Sequence, residues 1–313
     1  MRVLVAGWFS FENAHATVGD VLARDLVCEW LTAASYPYDV ALAPPFQGGI
    51  DLRRADPGAY SHAVFVCGPF EQKAMEAEFL GRFASSVVIG VNLTMVAPRE
   101  DWNPFDVLIE RDSSLAARPD LVFMSRQPLV PVVGRCLVEP YPGALDATAN
   151  AAIDRLLRSR EVAVVEIDTR LDVNTTGLRT AAEIESLIAR MDLVVTTRLH
   201  GMVFSLKNGV PVIAIDPEAG GAKIVRQATT IDWPAAFVVD AVTDEALQHA
   251  FDYCLTEKAR GRARECSRWA ATRVAQVRRE FIDAFQESDR PDRSSRKRRE
   301  REAFAASWLR ARR

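Results

Sequence analysis

The sequence predicts an α/β protein of two Rossmann-like domains, with parallel sheets facing a central cleft and helices added towards the C-terminus. Three observations carry this. The chain has 313 residues, more than a single hydrophobic core usually serves. Strand-sized apolar runs alternate with segments of helical period in both halves, the pattern of βαβ units. Between the halves, Pro128, Pro131, Pro140 and Pro142 punctuate the stretch from Arg126, and no helix can run through residues that lack an amide proton and fix the backbone. The boundary is set there. It gives an N-terminal domain over 1–130, a second domain over 131–255, a helix over 256–290 packing back on the body, and a basic tail over 291–313.

Taken in order, Arg2–Ala6 is a β-rich run that stops at Gly7. Leu22, Leu26, Trp30 and Leu31 then recur at helical spacing between Asp20 and Leu31. Val40–Leu42, His62–Cys67 and Val87–Val91 read as strands, and Met75, Phe79, Leu80 and Phe83 mark a helix between the last two. In the second half, Ala152–Leu157 reads as helix, Glu161–Ile167 as strand and Ala181–Met191 as helix, with Thr180 placed to cap it. Asp192–Thr196 follows as strand, Leu199–Lys207 as helix, Pro211–Ile215 and Phe237–Val239 as strands. Helices then run through Leu247 and Phe281. The last carries Ala270, Val274, Val277, Phe281 and Phe285 at steps of three and four, so one face should pack back on a domain.

Composition excludes several classes. The apolar runs are strand-sized and too short to span a membrane. The first residues lack the apolar core and cleavage site of a secretory signal, so a cytoplasmic protein is expected. Five scattered cysteines without CxxC spacing argue against a disulfide framework or a zinc site, and no metal is expected. Cys67 follows a strand and is a nucleophile candidate without an evident base. The net charge of −3 is uneven: Arg293–Arg313 holds nine basic and two acidic residues, leaving −10 on the rest. A solvated tail that favours solubility is the simplest reading, and no nucleic-acid partner is expected. Phe304, Trp308 and Leu309 would share a helical face there, which leaves a weak membrane-surface contact open. Oligomeric state cannot be read from the sequence.

The chemistry concentrates in 191–211. Leu193-Val194-Val195 is a run suited to a strand buried on both faces. Leu199, Met202, Val203 and Leu206 then switch to helical period, so a helix begins near Thr197; Asn208-Gly209 ends it and Pro211 blocks its continuation. In a parallel α/β sheet, the carboxyl end of a strand and the start of the next helix face the ligand crevice. Free amide groups and the helix dipole favour an anion there. Thr196 and Thr197 can add hydroxyl donors, Arg198 a planar fork for carboxylate or phosphate, and His200 a donor that titrates near neutrality. Gly201 allows close approach of a ligand or of neighbouring backbone. An arginine and a histidine at a helix start can instead bridge to core carboxylates; their place directly after a buried strand favours the binding role.

These residues resemble the polysaccharide pyruvyl transferase family, whose most recognisable feature is an Arg-Leu-His motif after an apolar strand, then a helix and a Gly-x-Pro turn. Here it stands as Arg198-Leu199-His200 and Gly209-Val210-Pro211. Gly19-Asp20 looks like the family's Gly-Asp pair, Glu110-Arg111-Asp112-Ser113 is similar to its Arg-Asp segment, and Lys223 after Asp216 stands where members often have lysine. The likeness spans most of 1–235. Members commonly carry a Gly-Gly pair where this chain has Cys67-Gly68-Pro69-Phe70, and the loop from Gly7 to His15 is unusually aromatic. Both departures bear on the acceptor.

The resemblance implies a glycosyltransferase B-like pair of domains and a reaction that needs no cofactor, with phosphoenolpyruvate as co-substrate and a saccharide or glycoconjugate as acceptor. It implies that Arg198 clamps the anion, assisted by Thr196, Thr197, Leu199 and Gly201. His200 would bind leaving phosphate or act as acid/base, with Arg111 and Lys223 as further anion ligands. On the acceptor side, Asp20, His15, Glu12, Asn92 and Gly19 are the candidates, although Asp20 serves equally well as a helix cap. Two alternatives stay open. A nucleotide-sugar glycosyltransferase would also set a diphosphate at this helix, but it needs a base- or ribose-binding carboxylate that the sequence does not display. A non-catalytic binding protein could keep the same fold.

Overall fold

Val3–Ala6, the first strand (β1), is buried at every position, as a strand covered on both faces must be. Its side chains alternate between two cores. Leu4 and Ala6 join Phe65, Phe70, Phe79 and Phe83 on one face of the sheet, while Val3 and Val5 join Phe9, Ala23, Val27, Val64 and Val66 on the other. The computed structural model describes residues 1–139, 145–288 and 300–305, and it divides into two units, Met1–Pro128 and Leu129–Arg313.

In the first unit, β1 is followed by α1 (Val18–Ala33), β2 (Tyr38–Val40), β3 (His62–Phe70), α2 (Ala74–Arg82), β4 (Val87–Met95) and β5 (Val107–Ile109). The strands are all parallel, in the order β2-β1-β3-β4-β5. The second unit runs β6 (Val132–Cys136), α3 (Asp146–Arg158), β7 (Ala163–Glu166), α4 (Ala181–Ile188) and β8 (Leu193–Thr196). It continues with α5 (Leu199–Lys207), β9 (Val212–Asp216), α6 (Lys223–Thr230), β10 (Ala236–Val238), α7 (Asp244–Cys254) and α8 (Glu257–Ser288). Its sheet is also parallel, ordered β10-β9-β8-β6-β7. Both units therefore share one wiring. The chain lays its first strand in the middle and the second beside it, then crosses to the other side of the first for the rest. In such a sheet the topological switch point lies between the first and third strands, and ligands bind outside its carboxyl end.

The predicted pair of parallel sheets is what the structure shows, with three differences in its parts. β6, at the heart of the second sheet, lies in the proline-rich stretch taken for a boundary. Pro131 precedes its first residue, where a missing amide costs no ladder bond. β5 and α6 are also additional: β5 has three residues, too few to show a period, and α6 buries only Ile224 and Ala228. Finally, α8 buries Ala259, Ala263 and Cys266 in the second core, but Val274, Val277, Phe281 and Phe285 are exposed. The expected packing-back of that apolar face is therefore confined to the first half of the helix. No helix among the described residues is long and apolar enough to cross a membrane. The tail's Trp308 and Leu309 lie outside the described residues.

Candidate active site

The second unit's switch point lies between β6 and β8. Leu137 and Val138 leave β6 there, and Thr196, Thr197 and Arg198 leave β8. The two strand ends are joined by the threonines. Thr196 is fully buried; its hydroxyl donates to the Cys136 carbonyl at 2.7 Å and accepts from the Arg198 amide at 2.9 Å. The Thr197 hydroxyl accepts from the Val138 amide at 2.9 Å and reaches Asn150 Oδ1 at 3.2 Å. Both hydroxyls are committed within the fold, so neither is presented as the ligand donor the sequence suggested. Gly201 is also structural: a Cβ there would collide with Thr196 Oγ1 and stand 3.1 Å from Cys136 Sγ. The close approach it permits is between helix and strand end. Leu199 is half-buried and packs on the second core.

Arg198 is the N-cap of α5 rather than a residue of its first turn, and its side chain makes no cap. The amide end of the helix is thus left without a side-chain acceptor. The guanidinium turns instead towards the switch point. Its Nε donates to the Leu137 carbonyl at 2.7 Å, and Nη2 stands 3.3 Å from Asp168 Oδ1, with 15% of the side chain exposed. It lines a pocket of about 310 Å³ together with Leu137, Asn150, Asp168, Thr175 and Arg135. Arg135 is held by Asp154 at 2.8 Å and Glu166 at 2.9 Å. Cations and carboxylates are therefore matched along this pocket, and the donors left over nearby are the uncapped start of α5 and the Nη1 side of Arg198. His200, the second residue of α5, is exposed, with its ring 6.2 Å from that of Phe204.

Asp168 is the residue that the sequence reading missed. It follows β7 and is 7% exposed. Burial alone would push its carboxyl up, but the Arg170 and Thr175 amides and the Arg198 charge hold it below the ordinary carboxylate range. The signal was a carboxylate directly after an apolar strand. Only the strand order reveals that this strand end lies near Arg198.

Lys223 is exposed at the start of α6, but that helix is no open anion seat. Asp216, fully buried at the end of β9, fills it with its own carboxylate, Oδ2 accepting from the amides of Ala222 at 2.8 Å, Ile224 at 2.9 Å and Val225 at 3.1 Å.

The first unit corrects more of the expectations. Arg111 is no free anion ligand: Nη1 is bonded to Asp120 at 2.7 Å, Nε to Asp112 at 2.9 Å, and Nη2 to the Thr94 hydroxyl. Asp20 completes a capping box at the start of α1, Oδ2 accepting from the amide and hydroxyl of the N-cap Thr17 at 2.7 and 2.8 Å. Gly19 sits beside it in the first turn of α1. Asn92 is buried and bonded to Asp120 Oδ1 at 3.1 Å, to the Leu121 amide at 3.2 Å and to Cys67 Sγ at 3.5 Å. Cys67 is buried, and burial and then Asp20 push its thiol up to about 12, away from the thiolate form that a nucleophile uses. Asp20, Asn92 and Arg111 are thus brought together, but as one internally satisfied network. Glu12 and His15 are exposed on the loop after β1, and Glu12 lines a separate pocket of about 340 Å³ with Phe11, Leu42, Arg53 and Arg54. The indole of Trp8 lies against Gly68 so closely that a Cβ there would collide with Nε1. It sits just past the end of β1, beside the stretch of β3 that runs on beyond its pairing with β1, at this sheet's own switch point.

Residues 133–218 match the polysaccharide pyruvyl transferase family. The match begins in β6, ends just past β9 and encloses the whole switch-point site. No curated protein matches the chain. Among solved structures, the calicheamicin glycosyltransferase CalG4 is 12% identical, covering 93% of this chain and 99% of its own with a TM-score of 0.34. The UDP-GlcNAc 2-epimerase of Methanocaldococcus jannaschii, solved in complex with UDP-GlcNAc and UDP, is 10% identical, covering 88% and 100% with a TM-score of 0.30. MurG of Acinetobacter baumannii is 11% identical, covering 85% and 94% with a TM-score of 0.31. Likenesses at this level say nothing about the site.

Proposed function

We propose that this chain, whose second unit carries the polysaccharide pyruvyl transferase match, moves the pyruvyl group of phosphoenolpyruvate onto two hydroxyls of a saccharide or glycoconjugate, forming a ketal and releasing phosphate. The observation that carries the reading is the pairing of Arg198 and His200 at the uncapped start of α5, beside the switch-point pocket. Helix N-termini with free amides bind phosphate and carboxylate, and phosphoenolpyruvate has both groups on one small frame.

The reaction sets definite demands. A proton must reach the methylene carbon, which gives oxocarbenium character to C2. One acceptor hydroxyl attacks C2 and loses its proton, phosphate leaves with the bridging oxygen, and a second hydroxyl closes the ketal. In this reading Arg198 and the start of α5 hold the anion through charge build-up. His200, exposed and two residues further on, carries a proton to or from the reacting groups, and Lys223 meets the outgoing phosphate. Glu12 and His15 remain the acceptor-side candidates, since Asp20 and Asn92 are occupied within their own unit.

The test is phosphate release dependent on phosphoenolpyruvate, across a panel of candidate acceptors. Arg198→Ala and His200→Ala should each lower turnover by a factor on the order of 10²–10³, the usual effect of removing one preorganised donor, while circular dichroism stays native. Undiminished turnover in either variant removes that residue from the site. Phosphoenolpyruvate at a hundred times its dissociation constant should also stabilise the fold by about 2.7 kcal/mol. Stabilisation by a nucleotide-sugar instead would point to glycosyl transfer.

A further inference from the structure

We infer that Asp168 is a positioning residue for Arg198: together with the Leu137 carbonyl it occupies the Nε–Nη2 edge of the guanidinium, so that an anion is met end-on by Nη1 and Nη2. The inference rests on Arg198 being the anion ligand proposed above. A guanidinium has five N–H groups in a fixed plane and two edges that can take an oxyanion in a bidentate way. At Arg198 the side-on edge faces its own protein, through a hydrogen bond from Nε and an ion pair at Nη2. Nε is bonded to Leu137 at 2.7 Å, and Nη2 is 3.3 Å from Asp168 Oδ1. No acceptor among the described residues bonds Nη1.

The carboxylate is itself immobilised. Oδ1 accepts from the Arg170 amide at 3.0 Å, and Oδ2 accepts from the amide and hydroxyl of Thr175 at 3.2 and 3.3 Å. The loop is tied a second time by Asn174, whose Nδ2 donates to the Asp168 and Arg170 carbonyls at 2.9 and 2.8 Å. A buried anion fixed by three donors is a poor general base but a rigid reference for a neighbouring cation. It fixes the plane of Arg198 before substrate arrives, which lowers the ordering cost of binding. It also excludes the side-on approach, so the ligand must come from the open side of the pocket.

A loop-stapling role alone would leave different traces, and a double-mutant cycle separates the two. Asp168→Asn should weaken phosphoenolpyruvate binding, measured by calorimetry and as KM, by about tenfold, within the usual range for coupled neighbours. In an Arg198→Ala background the same change should cost little more. Asn174→Ala loosens the same loop without touching the carboxylate; it should lower the melting temperature without reproducing the tenfold loss. Should the amide variant not fold, Asp168→Glu displaces the charge and should weaken binding in the same way. Additive losses, or equal losses from Asn174→Ala, overturn the inference. If the wild-type chain neither binds nor turns over phosphoenolpyruvate, the transferase reading falls and the clamp is judged separately, by phenylglyoxal labelling of Arg198 read by peptide mass spectrometry. Several-fold faster labelling in Asp168→Asn supports the clamp, and an unchanged rate overturns it.

Discussion

At position 201 a methyl group has nowhere to go. The helix α5 crosses the end of β8 so closely that the Thr196 hydroxyl, fixed by the Cys136 carbonyl and the Arg198 amide, occupies the place of a Cβ. Gly201→Ala should therefore lower stability by about 1–3 kcal/mol, the usual cost of overpacking, and weaken anion binding by moving the start of α5. Denaturant titration checks the first effect and calorimetry the second. This residue also shows what was legible at its scale. The strand–helix switch and the motif around it put Arg198 and His200 at the start of α5, because local order determines both. It misassigned the hydroxyls of Thr196 and Thr197, because a donor at a strand end can be spent on the neighbouring strand, and sequence alone does not say which strand that is. Arg111 is a related case, since its partner Asp120 is evident only once the loop between them is folded. For Asp20 the capping alternative is the local one, its partner Thr17 lying three residues upstream.

Among the elements, α6 is the instructive case. One oxygen of Asp216 satisfies three amides at its start, so the helix brings its own anion. Asp216→Ala should cost about 2 kcal/mol, as loss of a cap and of charge-assisted hydrogen bonds. It should also expose a new seat for anions. Sulfate is then expected to restore part of the lost melting temperature beyond what chloride gives at the same ionic strength, and to do so only in the variant. Equal salt effects in both proteins would contradict this. The elements that escaped the sequence reading have a common physical cause. β6 is a five-residue strand between prolines, and α6 buries only Ile224 and Ala228, so each offers few buried apolar residues to read. The longer elements β3, β4 and α1 were found.

On the scale of the whole molecule, two sheets of identical order each have their own core. A fragment ending at Pro128 should fold alone, with a cooperative melt and a native-like mixed α/β spectrum; a featureless, non-cooperative transition would count against it. The repeated wiring was not visible in the sequence, because the two halves place different side chains on the same topology. They differ most at the switch point. In the second unit Arg198 lines an open pocket there, whereas in the first the indole of Trp8 fills the space above Gly68.

That filled space makes positions 8 and 68 a single structural decision, although some sixty residues of chain separate them. An indole can rest there only over a residue with no side chain, and a bare glycine without the indole would leave a gap open to water. The glycine is held on a second count, since its φ of +90° is one that side chains rarely adopt. Bulk can thus be taken away from position 8 but not moved to position 68.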